Sequence, residues 1–166
     1  GIAGTPMPPW RGLITDAIAA DMAAFMRRRS RTIHKLIDRA AALADALVAH
    51  PLTLVLCHGD LHAGNLHVAD DGRVYIVDWD TLIFAPPERD LMFVGAGIDR
   101  VWPTKAARAA FYEGYFWTWN DRNALAYYRC ERAVEDIAAF GEALLLSDAG
   151  GADRAQSLMY FKSAFE

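Results

Sequence analysis

Residues Leu54–Asp80 read LVLCHGDLHAGNLHVADDGRVYIVDWD, and their reading decides the fold. An apolar run, Leu52 to Cys57, opens onto a polar loop, His58-Gly59-Asp60-Leu61-His62-Ala63-Gly64-Asn65. Leu66 and Val68, the turn Asp70-Asp71-Gly72, and then Val74, Ile76 and Val77 follow. Short β-rich runs joined by Asp-Gly predict a hairpin. The hairpin ends in Asp78-Trp79-Asp80, so two strand ends should bring three carboxylates and one amide together.

Asp60 falls in a loop, where function tends to gather. Asp78 closes a strand expected to be buried, where an unpaired carboxylate would be costly. A hard cation relieves that cost. Mg²⁺ takes oxygen ligands, keeps several waters and is shared between one or two carboxylates and substrate phosphates. With Asn65 and Asp78 as ligands, Asp60 is left as a base. His-x-Asp-x-x-x-x-Asn, with a metal-binding Asp beyond a hairpin, is the order of the kinase catalytic loop.

HGDLHAGN followed by IVDWD resembles the aminoglycoside phosphotransferase family, a branch of the kinase-like fold. The runs APPERDLMFVGAGI, FYEGY and YYRCERAVEDIAAF resemble its spectinomycin phosphotransferase branch, and the likeness covers about residues 51–162. It implies a mainly α chain with a small β-hairpin platform, the large C-terminal lobe of a protein-kinase-like fold. It implies ATP as donor, Mg²⁺ as cofactor and a cationic aminoglycoside or aminocyclitol as acceptor. Asp60 would be catalytic. Asn65 and Asp78 would hold the metal, with Asp80 assisting. His58 and Asp90 would support the catalytic loop. Glu131, Glu135 and Asp136 would receive substrate ammonium groups.

The chain departs from the family at its start. Members carry a β-rich lobe that covers ATP. Here no Gly-rich loop is seen, and Lys35, Lys105 and Lys162 do not sit in a Val-Ala-Ile-Lys-type strand. The expectation is a lone C-terminal lobe over residues 11–166 behind an irregular lead-in, residues 1–10, with the missing lobe supplied in cis or in trans.

Composition sets the remaining bounds. The chain has 166 residues, 54% of them hydrophobic, enough for one core-forming domain. A net charge of −4 argues against a nucleic-acid surface. Cys57 and Cys130 lack metal-type spacing, and Cys57 reads as a buried thiol in a reduced, cytoplasmic protein. No apolar run approaches the roughly 20 residues of a membrane span.

Helical spacing predicts a helix from Leu13 to Met26, a break at Arg27-Arg28-Arg29-Ser30-Arg31, and a second helix to Val48. Thr81 to Pro87 reads as irregular. A helix should follow from Leu91 to about Ala96, with Asp90 at its start. Thr104 should cap a helix to about Trp119, with an aromatic stripe of core character. Asn120 or Asp121 should cap a long helix to about Leu146.

Three rival functions remain. His58, Asp60, His62 and Asn65 also suit a dimetal phosphoesterase, but that chemistry needs more His and Asp ligands downstream, and no histidine follows His67. A fragment or pseudo-enzyme would bind a ligand and catalyse nothing. A related kinase would act on choline, homoserine or another small alcohol.

Overall fold

The computed structural model describes residues 16–50, 52–95, 104–115, 121–147, 150–151 and 153–165. The predicted lead-in, the start of the first helix, and Phe116, Trp117, Trp119 and Asn120 lie outside them. The described residues are mostly helical, with two small antiparallel sheets. The chain packs as two compact units, residues 1–37 with 133–166, and residues 38–132.

The first helix, α1 (Ala17–Val48), is continuous. The predicted break at Arg27–Arg31 is absent. Arginine is a strong helix former, and the guanidinium groups of Arg28 and Arg29 lie 5.9 and 5.7 Å from the Phe25 ring centre. Both residues are exposed, and each guanidinium is within cation–π reach of the ring. Asp16 starts the helix by accepting from the Ala19 N–H at 2.7 Å, an N-cap the apolar pattern does not reveal.

In the first unit, Met22, Phe25 and Ile33 pack with Ile137, Leu144, Leu158 and Phe161. Phe25, Phe161 and Phe165 meet edge to face, with ring centres 5.3–5.7 Å apart. These residues come from α1, from α4 (Arg122–Leu145) and from α5 (Asp153–Ser163) with the residues just after it. Buried Arg154 donates to the Ala143, Leu144 and Ser147 carbonyls and pairs with Asp16 at 2.6 Å. It thereby satisfies carbonyls that the end of α4 leaves without helical partners.

In the second unit, β2 (Leu66–Val68) and β3 (Val74–Ile76) pair antiparallel, with His67 opposite Tyr75. Gly72 turns the hairpin at φ +79°, a conformation open to glycine. The expected hairpin is present, but not its burial. Val74 and Ile76 are 60% and 39% exposed, and Asp78 beyond them is exposed too. Burial therefore does not make Asp78 costly.

A second sheet corrects the expected irregular stretch. Ile83–Ala85 forms β4, paired with β1 (Val55–Cys57) so that Leu56 lies opposite Phe84. Ile and Phe favour strands, but so short a strand with a remote partner leaves no local signal. Both sheets have two strands among the described residues. Their outward side chains are large and apolar, with Val68 and Phe84 each 70% exposed.

Pro87 leads into α2 (Glu88–Leu91), which is shorter and earlier than expected. Thr104 caps α3 (Lys105–Gly114) through the Ala107 N–H, as expected. Asp121 caps α4 by accepting from Asn123 and Ala124. Among the described residues, no helix is long and apolar enough to cross a membrane.

Candidate active site

The site lies in the second unit and is built on the loop after β1. Backbone donors there need partners. Asp90, at the start of α2, supplies them. Its Oδ2 accepts from the His58 N–H at 2.9 Å and its Oδ1 from the Gly59 N–H at 2.8 Å. Asp90 thus reaches back 31 residues to Gly59 to hold the loop, rather than merely capping its own helix.

His58 is buried and holds the other side of the loop. Its Nε2 faces the Val77 carbonyl at 2.9 Å, and its Nδ1 faces the Asp60 N–H at 3.3 Å. A carbonyl can only accept and an N–H only donate, so the ring proton sits on Nε2. The ring packs on Trp79 at 4.9 Å between centres. Thr81 Oγ1 donates to the His58 carbonyl at 2.8 Å.

Gly59 is required at its position. Its φ is +88°, and a Cβ would stand 2.4 Å from the Thr81 carbonyl oxygen. Any side chain would push the loop off the segment that follows the hairpin.

Asn65 is buried, and its Nδ2 donates to the Asp60 carbonyl at 2.9 Å. The nitrogen is thereby committed, and Oδ1 is the arm left for a cation. The Asn65 carbonyl accepts from the Val77 N–H at 3.1 Å, so the backbone leading to Asp78 is tied to Asn65. Asp78 itself is left-handed, at φ 67° and ψ 57°, the one non-glycine residue with positive φ among the described residues. Such a conformation costs about 1–2 kcal/mol, and outliers of this kind collect at functional sites. Asp80 follows in a short 3₁₀ turn and is exposed.

These groups present two kinds of oxygen donor, an amide and a carboxylate. Among the described residues, no three or more His, Cys, Asp or Glu side chains gather as a ready metal cage. A cation that keeps its own waters and binds phosphate oxygens fits such a sparse set.

The Asp60 carboxylate is half-buried. Its Oδ1 accepts from Arg132 Nη1 at 2.8 Å, and its Oδ2 lies 3.7 Å from His62 Nε2. Arg132, on α4, is a partner that the motif does not reveal, because 72 residues separate it from Asp60. Its neighbour Glu131 is spoken for within the protein. Arg89 pairs with one oxygen and the Tyr127 hydroxyl donates to the other at 2.6 Å. That hydrogen bond, helped by burial, pushes the Tyr127 hydroxyl up to about 12. Glu135 is exposed and Asp136 half-buried, and both fall in the other unit.

Cys57 is buried just before the loop. Burial first, and then the charge of Asp90, pushes its thiol up to about 11.

Against known proteins, the sequence pattern of the phosphotransferase enzyme family matches residues 7–128. A crystal structure of spectinomycin phosphotransferase, APH(9)-Ia, in complex with ADP and spectinomycin is similar at 38% identity and a TM-score of 0.82. That match covers 96% of this chain and 52% of the other. The AMP-bound complex of the same enzyme matches at 38% identity and a TM-score of 0.80, over 96% and 53%. None of the curated proteins matches. The chain spans about half the length of the solved structures it resembles. With a family pattern across most of its length and a shared fold at this identity, the chain belongs to the phosphotransferase enzyme family.

Proposed function

We propose that this chain is the acceptor- and metal-holding lobe, residues 11–166, of a small-molecule kinase. The reaction is transfer of the ATP γ-phosphate to a hydroxyl of an aminoglycoside or aminocyclitol, with a spectinomycin-like acceptor. The supporting observation is the Asp60 loop, held by Asp90 on two N–H groups and tied through Asn65 to the backbone that leads to Asp78. Phosphoryl transfer passes through a loose transition state, so positioning and electrostatics supply most of the catalysis. Asp60 orients the attacking hydroxyl and accepts its proton. Asn65 and Asp78, assisted by Asp80, would hold Mg²⁺, which when bound neutralises charge on the phosphate oxygens. Glu135 and Asp136 suit ammonium groups of a cationic acceptor; at Glu131 an ammonium would share the carboxylate with Arg89 and Tyr127.

The solved relatives are about twice as long, so we place the nucleotide-covering lobe outside these residues, in cis or in trans, and expect no turnover from the 166 residues alone. ATP-dependent modification of an antibiotic in the cytoplasm would confer resistance.

The test is Asp60→Asn in the lobe joined to its nucleotide-covering partner, assayed with γ-labelled ATP against spectinomycin, other aminocyclitols, choline and homoserine. General-base help is worth about 10² to 10⁴ in rate, so nearly all transfer should vanish while the fold persists. Turnover within tenfold of the parent would remove Asp60 from this role. Transfer to choline or homoserine alone would keep the kinase and replace the acceptor.

A further inference from the structure

We propose that Arg132 is the positioning residue for Asp60, fixing the carboxylate so that its Oδ2 is the oxygen offered to the acceptor hydroxyl. This rests on the reading of Asp60 as the base. Oδ1 already receives the Arg132 guanidinium at 2.8 Å, whereas Oδ2 stands 3.7 Å from His62 Nε2, longer than a hydrogen bond. A half-buried carboxylate on a loop has rotamers to lose, and one anchored oxygen removes them. The proton of the acceptor hydroxyl then passes to Oδ2 as the new O–P bond forms and the Pγ–O bond to ADP breaks.

The anchor is itself built. Arg132 lies over the Phe93 ring at 5.5 Å, and the His62 ring meets the same Phe93 edge-on at 5.7 Å. One aromatic ring therefore backs both groups that flank the base. Phe93 is held by Arg129, one turn before Arg132 on α4. Arg129 Nε donates to the Met92 carbonyl at 3.0 Å, and its Nη2 to the Val94 carbonyl at 2.6 Å. The two arginines on one helix thus act in series. Arg129 clamps the segment that carries Phe93, and Arg132, stacked on that ring, reaches the base. A lysine could supply charge at this place but not the planar fork or the stacking.

The experiment measures kcat and KM in the two-lobe enzyme for Arg132→Ala, Arg132→Lys, Asp60→Asn and the Asp60→Asn/Arg132→Ala pair. A misplaced group costs about 10²-fold in rate. Arg132→Ala should therefore lower kcat by about 10- to 100-fold, with the KM for ATP within about twofold. Added guanidinium should restore part of the loss, and Arg132→Lys should fall between parent and alanine. In the Asp60→Asn background, Arg132→Ala should cost nothing further. A normal kcat in Arg132→Ala beside an inactive Asp60→Asn would overturn the positioning role and leave the base assigned. So would a loss that guanidinium does not restore and that multiplies with Asp60→Asn. An active Asp60→Asn would overturn the reading of the base, and the positioning role with it. If the alanine variant does not fold, Arg132→Lys gives the same kcat-against-KM decision.

Discussion

Replacing Asp90 by Asn isolates the brace beneath the Asp60 loop. The carboxylate accepts two backbone N–H groups, at 2.9 and 2.8 Å, across 31 residues or more. An amide of the same shape offers one oxygen and turns an NH₂ toward the second donor. One charge-assisted bond is lost, at about 1.5–3 kcal/mol, and the other becomes a neutral bond worth about 1 kcal/mol. The expected cost is about 2–5 kcal/mol, large against a total stability of about 5–15 kcal/mol. Hydrogen exchange at the two amides reads it directly. With tenfold for each 1.4 kcal/mol, protection at His58 and Gly59 should drop roughly 30- to 4,000-fold if both exchange through opening of this loop. A control lies next door, since the Asp90 charge helps raise the Cys57 thiol. The same variant should move alkylation of Cys57 to lower pH. Protection at both amides within threefold of the parent would refute the brace.

Two further predictions concern the loop's neighbours. Asp78→Gly relieves a left-handed carboxylate residue, so thermal stability without ligand should hold or rise, while Mg·ATP affinity in a titration should fall; unchanged affinity would count against Asp78 as a ligand. The Cys57 thiol is pushed from 9.0 up to about 11 in the folded chain. Its contribution to stability is complete below pH 9 and is lost as pH rises through 11. Denaturation curves should thus show a fall between pH 9 and 11 that is shallower in Cys57→Ala, and equal slopes in the two proteins would disprove the effect.

The hairpin and its polar loop are legible because they are local: alternating apolar residues, an Asp-Gly turn and a dense motif lie between Leu54 and Asp80. Pairing of β1 with β4 is not, since each strand has three residues and its partner is remote. The unbroken α1 is hidden because four arginines and a serine look like solvated punctuation, although Arg28 and Arg29 rest on Phe25. Asp60, Asn65 and Asp78 can be named from spacing. Arg132 cannot, because nothing in ERAVED marks which charge on a long helix turns back to a loop 72 residues away. Glu131 looks like a substrate acid in the sequence, and only tertiary contacts reveal that Arg89 and Tyr127 hold both its oxygens.

The two small sheets carry one more consequence. Each of the four strands is an edge among the described residues, and each sheet turns bulky apolar side chains outward, Val68 and Phe84 foremost. Unpaired strand edges bearing such residues are templates for adding a foreign strand. These 166 residues expressed alone should therefore be colloidally fragile, self-associating at concentrations where a version with these edges capped stays dispersed. Light scattering across a set of edge-capped variants then ranks how much each strand contributes to that stickiness.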